Sequence, residues 1–272
     1  MQYMRGNVKI CKRAGVQICK CINVPLYRTA NAPMWKCGDM KIKGMDGWYY
    51  LRTIFSGKII ISMGFSFKGF IYQLFIDPLI GGLRRRVVEM INPGDKVIDI
   101  ACGTGAMAAA IAKHAGHVTG LDLAVDMIIT ARRMAQRKGI DNITFELQDA
   151  SDLSCYADNC FDVAVTSMSM HQFDPGVAVK VLSEMKRVAK RVVVADYNCP
   201  MTPGPAAALA WGIERAAKGD HFRNFRKYMA VGGISSLANT TGLAMASHEV
   251  RGEGVFMIAV LSANQENRAV PQ

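Results

Sequence analysis

From about residue 70 onward, short apolar runs alternate with longer stretches in which apolar residues recur every three or four positions. The short runs predict buried β-strands, and the longer stretches predict helices that cover them. The predicted strands are 96–101, 118–123, 143–147, 161–167 and 191–196, and the predicted helices are 79–91, 105–115, 125–138 and 175–190. Near-continuous apolar strands that alternate with helices are typical of a parallel sheet covered on both faces.

Capping signals and the end of the chain refine this picture. Asp174 followed by Pro175 predicts the start of a helix, and Gly139 predicts the end of the helix 125–138. After Pro205 the pattern predicts helices to about residue 242, and then strands 246–251 and 255–262 as a closing hairpin. We therefore predict an α/β fold with a doubly wound, mostly parallel sheet that ends in an antiparallel pair.

The first quarter of the chain follows neither periodicity. Residues 1–58 show no sustained period of 2 or 3.6, so we predict no regular element there. Met63 begins a stretch that resembles an ordinary domain start. We therefore divide the chain into residues 1–62, a basic, Cys-containing extension that is loosely ordered or non-native, and residues 63–272, the folded domain.

The strongest chemical signal lies at the end of the strand 96–101, in the segment DIACGTG of residues 99–105. Gly103 and Gly105 allow the backbone to turn tightly and to approach a ligand closely. Asp122 follows Gly103 by 19 residues, where a carboxylate can bind both hydroxyls of a ribose. The same glycines, followed by Ala108, also satisfy the dinucleotide fingerprint, so an NAD-dependent dehydrogenase is an alternative.

Two further carboxylates separate these interpretations. Asp99 lies four residues before Gly103, where it would repel a pyrophosphate but would suit a ligand with an ammonium group. Asp149, after the strand 143–147, is placed to accept a hydrogen bond from an adenine amino group. With Asp122, these acids fit a cationic nucleoside without phosphate, namely S-adenosylmethionine.

With these residues in place, the chain resembles the class I S-adenosylmethionine-dependent methyltransferases over about residues 70–265. The matching segments are DIACGTG (99–105), GLDLAVDM (120–127), LQDAS (147–151), FDVAVTSMSMHQF (161–173) and RVVVADYNCP (191–200). Within the superfamily, the chain is most similar to the small-molecule type of menaquinone and ubiquinone biosynthesis, a looser similarity that does not identify the substrate.

The resemblance implies a seven-stranded sheet with the last strand antiparallel, and methyl transfer to a small-molecule acceptor, either a phenol or quinol or another O, C or N nucleophile. The implied cofactor residues are Asp99, Ala101, Gly103 and Gly105 around the methionine part, Asp122 at the ribose, Leu123, Met127, Asp149 and Ala150 at the adenine, and Ser167 at the sulfonium.

At the acceptor side, His171 is the candidate catalytic residue. It lies four residues after Ser167, and an imidazole can accept a phenol or hydroxyl proton near neutral pH. The alternative is a histidine that caps the next helix or lines the pocket without chemistry. Asp196 and Tyr197 are further candidates, and His221 falls on a predicted lid helix whose Phe222, Phe225 and Tyr228 have core spacing. We predict no metal site.

The net charge of the chain gives little information about its function, because most of it lies in the first quarter. The chain carries 33 Lys and Arg against 22 Asp and Glu, a net charge of +11. Residues 1–62 hold 11 of the basic residues and two acids, which leaves the rest of the chain at +2. A nucleic-acid-directed methyltransferase that uses residues 1–62 as a basic arm is one alternative, although the motifs typical of base and amino methylation are absent. A cofactor-binding protein without catalysis is another.

Eight cysteines in 272 residues are too few for a dense disulfide framework, so we expect reduced thiols and a cytoplasmic protein. The apolar stretch 59–83 is interrupted by Lys68, Asp77 and Pro78, so it does not predict a membrane span. A lid or membrane-surface helix remains open for that stretch.

Overall fold

The computed structural model describes residues 81–263 and three strands within residues 40–62. The chain divides into two units, Met1–Leu79 and Ile80–Gln272. The expectations for residues 1–39, including the first four cysteines, lie outside the described residues. The same holds for most of the stretch 59–83.

The first unit contains a three-stranded antiparallel sheet. Its strands, in spatial order, are β1 (Met40–Gly44), β2 (Gly47–Ile54) and β3 (Lys58–Ser62). The prediction that residues 1–58 hold no regular element is therefore wrong for this part. The stretch 47–54 is rich in aromatic and β-branched residues, and glycines flank it, which are the usual signals of a hairpin strand. The three strands have only five, eight and five residues, too few to produce a sustained period over the whole segment.

The second unit is built on a seven-stranded sheet in the order β6-β5-β4-β7-β8-β10-β9. Its strands are β4 (Lys96–Ile100), β5 (His117–Asp122), β6 (Ile143–Leu147), β7 (Phe161–Ser167), β8 (Ala189–Tyr197), β9 (Leu243–Arg251) and β10 (Phe256–Ala263). The strands β4 to β8 pair in parallel, and β10 is antiparallel to both of its neighbours. The predicted fold class is confirmed, including the antiparallel last strand.

The helices lie between these strands and before the final hairpin. They are α1 (Gly81–Val88), α2 (Ala106–Ile111), α3 (Val125–Lys138), α4 (Pro175–Val188), α5 (Pro205–Ala217), α6 (Gly219–Val231) and α7 (Gly233–Thr240), with one 3₁₀ turn at Met170–Gln172. None of the described helices combines the length and the apolar character that crossing a bilayer requires.

Local capping chemistry explains where several helices begin and end. Asp174 accepts a hydrogen bond from the Gly176 N–H at the start of α4, and Gly139 ends α3 in the left-handed conformation, both as predicted. The helix α2 is shorter than predicted because residues 112–115 form turns, one of them closed by a bond from the His114 N–H to the Ile111 carbonyl.

The order of the strands places a crevice at one edge of the sheet. From β4 the chain builds outward through β5 and β6, and it then crosses to the other side of β4 to build β7 and β8. At such a switch point the loops that follow β4 and β7 diverge, and a crevice opens at the carboxyl ends of the strands. The residues that follow these strands therefore meet at this edge.

The side chain of Phe145 on β6 joins the sheet to the loop after β4. In the sheet register Gly120 of β5 lies between Asp99 of β4 and Phe145. A Cβ at Gly120 would lie 2.7 Å from Phe145 Cδ1, and one at Gly105 would lie 2.7 Å from Phe145 Cζ. The aromatic ring thus fills the space that both glycines leave, and any side chain at either position would collide with it.

This packing predicts opposite effects for two Gly→Ala variants. Gly120→Ala should destabilise the fold by about 1–3 kcal/mol, because the buried Phe145 ring has to move. Gly212→Ala, where a Cβ meets nothing within 4 Å in the middle of α5, should stabilise it by roughly 0.5–1 kcal/mol. Urea denaturation of both variants measures the difference, and equal effects at the two positions would contradict this account of Phe145.

Candidate functional site

The loop after β4 has an unusual backbone. Ala101, Gly103 and Gly105 all have positive φ values, of 54°, 54° and 79°. The left-handed conformation costs an alanine about 1–2 kcal/mol, so strain is stored at Ala101. The loop is held by hydrogen bonds from the Cys102 N–H to the Leu121 carbonyl (2.8 Å) and from the Gly105 N–H to the Cys102 carbonyl (2.9 Å).

The two glycines of the loop have different surroundings. A Cβ at Gly103 would meet no atom within 4 Å, whereas Gly105 is closed off by Phe145 and Ala131. Gly103 therefore borders open space, where a ligand can approach the backbone. Gly105 instead allows the start of α2 to pack against the sheet.

Asp122, the last residue of β5, supports the loop from the side. Its Oδ2 accepts the Gly103 N–H and its Oδ1 accepts the Ala124 N–H, both at 2.8 Å. Burial raises the pKa of Asp122, and these two N–H donors act in the opposite direction. The Asp122 carboxylate is thus hydrogen-bonded to the glycine that borders open space.

Asp99 is the most unusual group at this edge. Its side chain is only 1% exposed, and its Oδ2 finds no hydrogen-bond partner among the described residues. Burial, together with the nearby charge of Asp122, raises the pKa of Asp99 to about 7, against the opposing effects of the Ala108 N–H and of Arg84. A buried polar atom without a partner is rare in folded proteins. This oxygen is available to a donor supplied by a ligand.

The remaining predicted cofactor residues lie at the same edge. Asp149 Oδ1 accepts both the N–H and the hydroxyl of Ser151 at 2.8 Å, which fixes the turn after β6. Leu123, directly after Asp122, is 63% exposed and presents an apolar surface beside the loop. Met127, Ala150 and Ser167 are all partly buried. The fold therefore brings the carboxyl ends of β4, β5, β6 and β7 together, as the sequence requires.

A second polar cluster is centred on His171, in the 3₁₀ turn after β7. Its Nδ1 lies 2.6 Å from Oδ1 of Asp196 on β8, and both side chains are almost fully buried. Asp196 also accepts the N–H groups of Met170 (2.8 Å) and Tyr197 (2.7 Å). Burial by itself would lower the pKa of His171, but the Asp196 carboxylate raises it through its charge and its hydrogen bond. His171 is therefore held firmly in one orientation.

Glu214 on α5 is a third member of this cluster and was not among the predicted site residues. Its Oε1 accepts the Tyr197 hydroxyl at 2.8 Å and lies 3.6 Å from His171 Nε2, and its Oε2 lies 2.6 Å from His221 Nε2. Burial acts to raise the pKa of Glu214, but the two histidines and Tyr197 lower it. A signal existed in the sequence, because Glu214 shares one helical face with the buried Ala207 and Ala210.

These contacts bear on the candidate catalytic role of His171. Both of its ring nitrogens face carboxylates, and its side chain is 1% exposed. The general-base role therefore stays a prediction, beside the alternative of a histidine that lines the pocket. On α6, Phe225 and Tyr228 are buried, so their predicted core role is confirmed.

A surface cavity of about 340 Å³ lies between α5 and α6, lined by Trp211, Gly212, Arg215, Phe222 and Arg226. It contains none of the predicted cofactor residues. The Phe225 ring lies between it and the His171 cluster, with ring centroids 4.8 Å from Trp211 and 6.2 Å from His171.

Residues 91–242 match the model of a protein family described as a methyltransferase domain. The chain is 41% identical over 122 residues to the ubiquinone/menaquinone biosynthesis C-methyltransferase of Bdellovibrio bacteriovorus. The aligned region covers 42% of this chain and 50% of the relative. It is 29% identical over 142 residues to the ubiquinone biosynthesis O-methyltransferase of Xanthomonas campestris, and this aligned region covers 50% of this chain and 58% of the relative. The chain thus spans about half the length of these curated relatives.

Solved structures show the same fold. An S-adenosylmethionine-dependent methyltransferase from Aquifex aeolicus matches with a TM-score of 0.51 and 16% identity over 72% of this chain and 98% of that chain. The mitomycin 7-O-methyltransferase MmcR matches with a TM-score of 0.53 and 16% identity over 71% of this chain and 57% of that chain. At these identities the similarity concerns the fold alone.

The buried carboxyl group of Asp99 predicts a pH-dependent stability. Its pKa is about 7 in the folded chain, against about 3.9 for an unfolded aspartate. The unfolded state therefore loses this proton first as the pH rises. The corresponding stability is fully present below about pH 4 and is lost by about pH 7, on the order of 4 kcal/mol in total.

Asp99→Asn should remove this loss, so that the variant gains stability relative to the parent between pH 5 and pH 8. Urea denaturation at the two pH values measures this, with Asp141→Asn, an exposed position, as the control. A difference between parent and variant that does not change with pH would show that Asp99 is already ionised in the folded chain at pH 5.

Proposed function

The chain belongs to the methyltransferase domain family as a class I S-adenosylmethionine-dependent methyltransferase, with S-adenosylmethionine as cofactor, and from this premise we propose that it methylates a small-molecule acceptor. The observation that carries the proposal is the buried Oδ2 of Asp99, which finds no hydrogen-bond partner among the described residues and lies on the strand that leads into the open space at Gly103. A buried acceptor beside an open backbone approach suits a ligand that carries an ammonium group.

The residues at this edge fit the cofactor in several respects. Asp99 would hold the ammonium group, and the backbone at Ala101 and Gly103 would hold the methionine part, with Gly105 shaping the loop. Asp122 would bind the ribose, since each of its oxygens keeps a lone pair beyond the N–H that it accepts. A dinucleotide would place its pyrophosphate near Asp99, and this repulsion argues against an NAD-dependent dehydrogenase.

The adenine and the sulfonium would meet the remaining predicted residues. Leu123 and Met127 would provide an apolar surface for the adenine, and Asp149 and Ala150 would meet its edge and face. Ser167, at the end of β7, would border the sulfonium. The cofactor supplies an electrophilic methyl group when bound. The protein's main contribution is to hold the acceptor in line with that group and to exclude water, which by itself supplies a large rate acceleration.

We propose that the acceptor is a phenol- or quinol-type ring methylated at oxygen or carbon, with nitrogen nucleophiles as alternatives. The support is that the curated relatives carry the names of C- and O-methyltransferases of ubiquinone and menaquinone biosynthesis. His171 follows β7, and Asp196 and Tyr197 end β8, at the same edge as the cofactor residues, so they are the proposed acceptor-side groups. The four described cysteines are free thiols, which supports the proposed cytoplasmic location.

The open space at Gly103 predicts a selective loss of cofactor binding. Gly103→Ala should weaken the binding of S-adenosylhomocysteine at least about tenfold, because the added methyl group points into the space proposed for the ligand. Gly94→Ala is the matched control, since Gly94 also has a positive φ of 85° and open surroundings but lies in the turn before β4. Calorimetry measures both. Equal affinities for the two variants, or binding of NAD by the parent, would contradict the proposed cofactor site.

A methyl-label screen of the full chain tests the acceptor class. We expect label in phenol or quinol acceptors and none in tRNA; label in tRNA alone would support the nucleic-acid-directed alternative.

The variant His171→Asn tests the catalytic role of His171, because it retains an amide near the position of Nδ1. If His171 acts on the acceptor, this variant should lower transfer by about 100-fold with unchanged affinity for S-adenosylhomocysteine. Unchanged transfer would leave His171 as a pocket-lining residue.

A further inference from the structure

His171, Glu214 and His221 converge from three separate elements, the 3₁₀ turn after β7, α5 and α6. One nitrogen or oxygen atom from each of them lies within 4.8 Å of the others. His171 and Glu214 are buried, and His221 is 27% exposed. We propose that these three side chains bind a divalent transition-metal ion, with Zn²⁺ as the preferred ion.

The set of donor atoms suits this ion. Two imidazole nitrogens and one carboxylate are a common zinc ligand set in sites that keep a fourth position open for water or substrate. Tetrahedral ligands at about 2.1 Å from zinc lie about 3.4 Å from each other. The 3.6 Å from His171 Nε2 to Glu214 Oε1 is close to that spacing. His221 Nε2 lies 2.6 Å from the other carboxylate oxygen, Oε2, so the His221 ring would have to move away by about 0.8 Å when a metal binds.

The groups around the cluster are those that support metal ligands. Asp196 accepts from Nδ1 of His171, which fixes the tautomer and leaves Nε2 with its lone pair toward Glu214. The Tyr197 hydroxyl orients Glu214 through its 2.8 Å hydrogen bond. Backbone N–H groups of Met170 and Tyr197 hold Asp196 in turn. Each of the two buried ligands is therefore held by a second side chain.

Charge compensation points the same way. The carboxylates of Asp196 and Glu214 are both buried, and no described Lys or Arg forms an ion pair with either of them. Their only charge partners among the described residues are the two histidines. Buried carboxylates require compensation, which a divalent cation supplies at a single point. The rings of Tyr197, Phe225 and Tyr228 surround His171 and exclude water, and the partly exposed His221 provides an entry path.

Occupation by a metal would change what His171 contributes. A metal ion would take up Nε2, so His171 could act on an acceptor only through the ion, whose positive charge would lower the pKa of a bound hydroxyl. Metal binding itself does not require methyl transfer, and the proposal stands or falls independently of the proposed function. It would replace the expectation that the chain holds no metal.

The experiment uses the full, untagged chain incubated with Zn²⁺, freed of unbound ion by gel filtration and analysed for metal content. We expect the parent to hold about one Zn²⁺ more than His221→Ala and Glu214→Gln. His248→Ala, at an exposed histidine of β9, is the matched control and should hold as much as the parent. Tyr197→Phe should weaken binding about tenfold, as expected for a residue that orients a ligand.

Two further measurements keep the outcome unambiguous. Thermal melting and S-adenosylhomocysteine binding confirm that each variant is folded. The Co²⁺ form of the parent should show a visible absorption spectrum without thiolate charge-transfer bands, and His221→Ala should lose this spectrum. The lack of thiolate bands distinguishes this site from one formed by any of the eight cysteines. Equal metal content in the parent and both folded ligand variants would overturn the proposal, as would the absence of bound Zn²⁺ in the parent. Either result would assign the cluster to hydrogen bonding between the two histidines and the two carboxylates.

Discussion

The hydrogen bond between the Asp122 carboxylate and the Gly103 N–H holds together the part of the molecule on which the proposed chemistry depends. It joins the end of β5 to a loop whose backbone is left-handed at Ala101, Gly103 and Gly105. Strained backbone conformations persist only where surrounding contacts hold them, so the loop depends on this hydrogen bond to keep its conformation. Phe145 completes the arrangement from β6, because its ring fills the space over Gly105 and Gly120 and leaves only Gly103 open.

Both polar clusters contain buried carboxylates, but the surroundings of these carboxylates differ. Burial raises the pKa of Asp99 to about 7, and its Oδ2 finds no hydrogen-bond partner among the described residues. Asp196 and Glu214 instead face His171 and His221. The first arrangement suits a cationic ligand that arrives and leaves. The second arrangement suits the proposed metal ion, which would stay in place between the facing side chains.

The elements that agreed best with the sequence are those whose ends have a local cause. The helix α3 and the strands β6 and β7 have the predicted bounds. Gly139 ends the helix, apolar and polar residues alternate along β6, and β7 is a mainly apolar run. The strands within residues 40–62 were missed because their signals extend over only a few residues each. Glu214 was missed for a different reason: its buried neighbours on the same helical face are small alanines, which give only a weak signal of burial.

The sequence by itself determined the fold class, the glycine loop and the carboxylates at the ends of the strands, because strand periodicity, turn chemistry and the spacing of motifs are local properties. Only the tertiary structure decided that Gly103 is open and Gly105 is closed, and that His171, Glu214 and His221 meet. It also decided that Oδ2 of Asp99 finds no hydrogen-bond partner among the described residues. These facts depend on which side chains from distant segments share a volume. No local pattern encodes that, since it arises when the strands and helices pack together.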